Sequence, residues 1–174
     1  MILEGIIPAL SRAHTFDNAL AWANRSADFS LVEGLRAPLL AGLLDKRDGP
    51  QALLAVVATG RDSESLRGAL ASVAPTAQVI EFPAWETLPH ERLSPSAETV
   101  GKRILALREL QKWTEAPDVD GSGYRKADII VVASVRAALQ PLAADLTSFE
   151  PIVLTAAGRG YNLSEISTHL VDRA

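Results

Sequence analysis

The sequence predicts an α/β fold, a parallel sheet flanked by helices, followed by the start of a second, small α/β domain. Three observations carry that expectation. Strand-like and helix-like segments alternate along most of the chain. Residues 52–58 and 129–133 are unbroken apolar runs of the kind found in strands covered on both faces of a parallel sheet. Helix-start chemistry follows each run, as crossover connections require. With 174 residues, 48% hydrophobic and 22% charged, the chain is long enough to bury a core.

Leu3, Ile6, Ile7 and Leu10 recur at helical spacing, and after a break near 11–15 so do Phe16, Leu20 and Ala23. The first ~28 residues are therefore expected to be helical. Residues 29–33 read as a short strand ending at Gly34. Leu39, Leu40, Leu43 and Leu44 then form a helical stripe, with Pro38 in its first turn and Gly49-Pro50 as its stop. Residues 52–58 are the second strand. Asp62 is the expected N-cap of the next helix, whose Leu66, Leu70 and Val73 share a face before Pro75 ends it. Residues 78–82 are the third strand. A proline-rich connector over 83–95 leads into a helix opened by Ser94 as N-cap and Pro95 as first helical residue, with Val100, Ile104 and Leu107 on its buried face. Residues 117–125 have turn composition. Residues 129–133 are the fourth strand, Ser134 caps a helix over 135–140, and Pro141 limits it. The four apolar runs are expected to share one parallel sheet. Residues 152–155 read as a further strand, and Asn162 with Glu165 as a capping box opening a helix that carries Ile166, Leu170 and Val171. Two domains follow, 1–149 and 150–174. The second cannot bury its own apolar face, so the chain reads as a fragment of a longer protein.

Composition excludes several kinds of chemistry. The chain has no cysteine, which removes disulfides, thiolate metal sites, iron–sulfur clusters and cysteine nucleophiles. A net charge of −4 supplies no global field for nucleic acid, so contact with it would need a local patch. No signal-type apolar segment follows Met1 and no apolar run approaches the ~18 residues of a membrane span, giving the expectation of a soluble, unexported, cytoplasmic protein without membrane partners. His14, His90 and His169 are far apart and no His-Glu-x-x-His exists, so no metal site is assigned. There is no Gly-x-Ser-x-Gly nucleophile turn, and Gly121-Ser122-Gly123 precedes a strand where a dinucleotide fingerprint would follow one. No catalytic residue is assigned.

Three segments carry information about function. A phosphate-binding loop, Gly-x-x-x-x-Gly-Lys-[Ser/Thr], sits between a first strand and the next helix and cradles phosphates with backbone N–H groups. At that place the chain keeps Gly34, but Leu39, Leu40 and Ala41 stand where the second glycine, the lysine and the hydroxyl would be. Without the ammonium and the Mg²⁺-holding hydroxyl, tight nucleotide binding and ATP hydrolysis are not expected of this chain. In the connector, Trp85, Glu86, Thr87, Leu88 and Pro89, then Ser94 and Pro95, pack large groups between prolines, as either a lid over the sheet edge or an interface. Lys102, Arg103, Arg108 and Lys112 form the densest basic group, either a solvated face or a phosphate-contacting patch.

The run Trp85-Glu86-Thr87-Leu88-Pro89, followed by Ser94-Pro95, Arg103 and Leu107, resembles the N-terminal region of the bacterial transcription-repair coupling factors (Mfd). The resemblance extends over most of the chain from Phe29 and includes Gly34, the run at 53–58 and the segment 129–141. It implies a module similar to the excision-repair protein UvrB, with a helicase-type fold whose nucleotide site is degenerate, residues 1–149 matching UvrB domain 1a and 150–174 the opening of domain 2. The implied role is a non-catalytic scaffold for UvrA recruitment and for autoinhibition through contact with the rest of its own chain. The implied parent uses ATP and Mg²⁺ to translocate on DNA and displace stalled RNA polymerase through segments not present here. Two other readings stand beside it: an active nucleotide-dependent helicase with an atypical phosphate loop, and a direct DNA-binding module using residues 102–112.

Overall fold

The computed structural model describes residues 3, 5–23, 26–45, 48–87, 94–119, 121–142 and 160–171, in two compact units, Met1–Gln140 and Pro141–Ala174. The expected strand at 152–155 lies outside the described residues. The first unit is an α/β fold with an all-parallel sheet of three strands, β1 (Ala52–Val57), β2 (Gln78–Phe82) and β3 (Ile129–Ser134), in the order β1-β3-β2. The helices are α1 (Ile6–Leu10), α2 (His14–Trp22), α3 (Arg36–Asp45), α4 (Gly60–Val73), α5 (Ala97–Glu115) and α6 (Val135–Leu139). In the second unit α7 (Leu163–Val171) is opened by Asn162, whose Oδ1 accepts from the Ser164 amide at 3.0 Å and whose Nδ2 donates to Glu165 at 3.2 Å. No described helix is long and apolar enough to cross a membrane.

Every residue of the central strand β3 is buried, as its apolar run requires. Its side chains alternate between two cores. Ile130 and Val132 join Leu70 and Val73 of α4, Ala37, Ala41 and Leu44 of α3, and Ile7 of α1. Val131 and Ala133 face the other way, into Phe82, Ala106 and Ala137. Helices thus cover both faces. The apolar run at 52–58 is an edge strand of the described sheet instead of one buried on both faces: only Ala55 is buried, while Leu54 and Val56 are 62% and 47% exposed. They register with Val131 and Ala133 and so share the face that α5 covers over β2 and β3.

The run at 29–33 does not form a strand or join the sheet. Residues 27–32 are irregular and lead into a 3-10 turn, Glu33–Leu35, that runs directly into α3. Its apolar groups are used locally: Phe29, Leu31 and Val32 line a hollow with Phe16 and Ala19 of α2 and Leu39 of α3. Two helix starts also move. Thr59, not Asp62, is the N-cap of α4, and Asp62 is its reciprocal partner, the Thr59 side chain accepting from the Asp62 amide and the Asp62 carboxylate from the Thr59 amide. Helix α5 is capped by Ser96, two residues after Ser94, so Pro95 lies before the helix and not in its first turn. The buried face of α5 is Thr99, Arg103 and Ala106, with Leu107 and Leu110 packed beside them, whereas Val100 and Ile104 flank it.

The loop between α5 and β3 is pinned at both ends. Lys126 donates to the Trp113 and Ala116 carbonyls at 2.9 and 3.0 Å, capping the end of α5, and its ammonium lies 4.0 Å from the Trp113 ring centroid. An antiparallel bridge joins Val119 to Arg125 around Gly123, whose φ of +84° is a left-handed conformation. Open space surrounds the Gly123 Cα, so Gly123→Ala is expected to cost only the backbone penalty, about 1 kcal/mol, read as a lowered denaturation midpoint at unchanged slope.

Candidate functional site

At the segment expected to be a degenerate phosphate loop no strand precedes Gly34, which sits in the 3-10 turn with no positive φ, and α3 opens two residues later. Leu40 packs against the core and Ala41 is buried within it, so the places of the lysine and the hydroxyl point into the protein. Leu39 is half-buried against α2 and the 29–32 segment. A small hollow beside Gly34, about 150 Å³, is lined by Glu33, Arg36 and Asp62 among others, and the Asp62 carboxylate is engaged by Thr59.

The Trp85 segment is where the structure concentrates its polar contacts. Residues 83–87 follow β2 without forming a ladder, and side chains hold their backbone. Gln140 accepts from the Trp85 amide at 2.7 Å and donates back to the Trp85 carbonyl at 3.4 Å. Arg136 donates to the carbonyls of Glu86 and Thr87 at 3.2 and 3.3 Å, and Arg103 to that of Pro83 at 2.7 Å. The Glu86 carboxylate closes on the start of α5, accepting from Ser96 Oγ at 2.6 Å, from the Ser96 amide at 3.4 Å and from Thr99 Oγ1. An anion at a helix N-terminus also meets the positive end of the helix dipole. Leu88 and Pro89 lie outside the described residues; Ser94 is exposed and Pro95 half-buried.

The hydroxyls of Ser96 and then Thr99 hold the Glu86 carboxyl down at about 2, against an ordinary 4.5. The unfolded chain therefore binds more protons than the folded one between those values. The Glu86 contribution is complete above 4.5 and is lost as pH falls through about 2. Denaturation midpoints should fall across that window, and the part of the slope that Glu86→Gln removes measures this contact.

Arg103 is 1% exposed, its guanidinium carbon 4.2 Å from the Phe82 ring centroid and 4.3 Å from that of Trp85. It thus sits apart from Lys102, Arg108 and Lys112, its neighbours in sequence. Of those, Lys102 pairs with Glu98 at 2.6 Å and Lys112 with Glu109 at 2.8 Å, while Arg108 is half-buried. The Glu98 hydrogen bond raises the Lys102 ammonium pKa, and hydrogen bonds from Lys112 and then Gln78 lower that of Glu109. The carboxylates that answer Lys102 and Lys112 reduce what either offers a phosphate.

A crevice of about 470 Å³ opens at the carboxyl ends of all three strands, between Thr59 at the start of α4, Ser134 and Arg136 at α6, and Phe82 to Glu86. Open parallel sheets place their ligand sites at this end. The sequence reading missed Arg136, Gln140, Ser96 and Thr99. A usable signal existed for part of this: Thr99, Arg103, Ala106 and Leu110 lie on one helical stripe, with Arg103 in its middle.

No protein-family model matches the chain. It is 38% identical over 154 residues, 88% of its length, to the transcription-repair-coupling factor of Mycobacterium bovis, and to the same extent to that of Mycobacterium tuberculosis. The chain spans about 12% of the length of these curated relatives.

Proposed function

The chain is a relative of part of the transcription-repair-coupling factors, and from that premise we propose that it is the UvrB-like module of such a factor, a non-catalytic scaffold in transcription-coupled excision repair. The identity over 154 residues is the observation that carries this reading. The module is proposed to contact UvrA and the remainder of its own polypeptide, restraining it. ATP hydrolysis with Mg²⁺, movement on DNA and displacement of stalled RNA polymerase are assigned to other parts of the parent protein. The buried Ala41 and core-packed Leu40 support a role without nucleotide. The proposed domain division, 1–149 against 150–174, assigns the latter stretch to the opening of the UvrB-like second domain.

Two measurements test the proposal. In the parent protein, deleting the module should abolish UvrA recruitment and leave ATP-driven movement on DNA intact; unchanged UvrA recruitment would overturn the scaffold role. Calorimetric titration of this chain with Mg·ATP should give no saturable heat. Saturable binding would favour the alternative of an active helicase with an atypical loop. The DNA-binding alternative predicts affinity that falls steeply with salt, because each neutralised phosphate releases counterion. The paired Lys102 and Lys112 argue against it.

A further inference from the structure

Arg103 heads the largest side chains that the described fold buries completely, and desolvation lowers its pKa, with no acidic group acting on it among the described residues. One terminal nitrogen is occupied: Nη1 donates to the Pro83 carbonyl at 2.7 Å and reaches Gln140 Oε1 at 3.5 Å. The other two nitrogens, Nε and Nη2, are buried without a hydrogen-bond partner. They are a matched pair. In a planar guanidinium the Nε–H and one N–H of Nη2 point the same way and form the side-on edge that takes both oxygens of a carboxylate. Buried donors are rarely left unpaired, and those on a charged group are the most costly.

The surroundings narrow the chemistry. The rings of Phe82 and Trp85 close over the guanidinium at 4.2 and 4.3 Å, so a group reaching the free edge must lie near the guanidinium plane. A carboxylate places both oxygens in that plane and nothing outside it, whereas a phosphate that presents two oxygens to the fork carries its other two above and below the plane, toward the rings. Phe82, Pro83 and Trp85 also line the crevice at the carboxyl ends of the strands. Trp85 thus lines the crevice and covers the guanidinium, and its backbone is held by side-chain hydrogen bonds to Gln140 and by no strand ladder.

We infer that the side-on edge of Arg103, between Phe82 and Trp85, is a binding site for a planar carboxylate entering from the crevice. This goes beyond the scaffold role and does not depend on it. The test is NMR of the intact ¹⁵N-labelled chain, following the Arg103 Nε–H, assigned through its bonds to the backbone. Sodium acetate represents a free small anion and a blocked glutamate, N-acetyl-glutamate amide, an acidic side chain of a protein; sodium chloride at matched ionic strength and inorganic phosphate are the controls. Saturable displacement of this resonance by acetate alone assigns the site to a small molecule, and displacement by the blocked glutamate to an acidic protein segment. Arg103→Lys, which keeps the charge and removes the fork, should weaken either by about tenfold or more. No displacement by either carboxylate, an equal response to chloride, or tighter binding of phosphate than of acetate would overturn the inference. Because the wild-type resonance is the readout, the result stands even if the variant fails to fold.

Discussion

Arg103→Ala is expected to destabilise the first unit by about 3 kcal/mol, visible in urea denaturation. The loss has separable parts. Truncation empties the space between Phe82 and Trp85, ends two cation–π contacts, and leaves the Pro83 carbonyl without its donor. Against these stands a gain, since a desolvated cation without an acidic partner is itself costly. Arg103→Met separates the two, because it refills much of the volume and removes the charge. Methionine is expected to recover about half of the alanine loss. If methionine is as damaging as alanine, hydrogen bonding and charge dominate; if it is as stable as arginine, packing does.

Leu70→Ala is expected to cost about 3–4 kcal/mol, in the middle of the range for buried leucines. Leu70 is 0% exposed and sits where α4 meets β3 among Val73, Ile130 and Val132, a region tied together from α1, α3, α4 and the sheet. The rigid strand backbone on one side and two helices on another leave little freedom to collapse onto the cavity. Leu54→Ala on the edge strand is the matched comparison, because 62% of Leu54 already meets solvent, and its expected cost is below about 1 kcal/mol. Equal losses at the two positions would mean that the face carrying Leu54 is covered in solution.

The sequence made the sheet legible where apolar runs coincide with ladder positions. Residues 78–82 and 129–133 fall within β2 and β3 to within a residue, and 52–58 exceeds β1 by one. Periodicity located Leu70 and Val73 correctly because α4 presents a single buried stripe. The failure at 29–33 has a physical cause: apolar side chains in a short segment can line a helix as well as a sheet, and here they line a hollow beside α2, with Val32 left 69% exposed. Helix α5 was read one residue out of phase, since Arg103 counts as polar in any hydrophobic pattern although its guanidinium plane stacks like an aromatic group. The contacts around Trp85 join residues about fifty positions apart, as in Trp85 to Gln140 and Arg136 to Glu86. Such pairs leave no local signature. Ser94 and Ser96 are chemically interchangeable caps, and only the place of Glu86 separates them.

The capping box of α4 bears on how one end of the crevice is held. In the described sheet the turn after the first strand is Ala58-Thr59-Gly60, and a carboxylate from within the same helix, Asp62, already binds the Thr59 amide at 3.1 Å and the Thr59 hydroxyl at 2.8 Å. This turn is distinct from the 34–41 segment where a phosphate loop is expected, and its order comes from a carboxylate of its own helix, a counter-charge permanently tethered beside the amide it meets. Thr59, which lines the crevice, is therefore a fixed strut held by the helix that it opens.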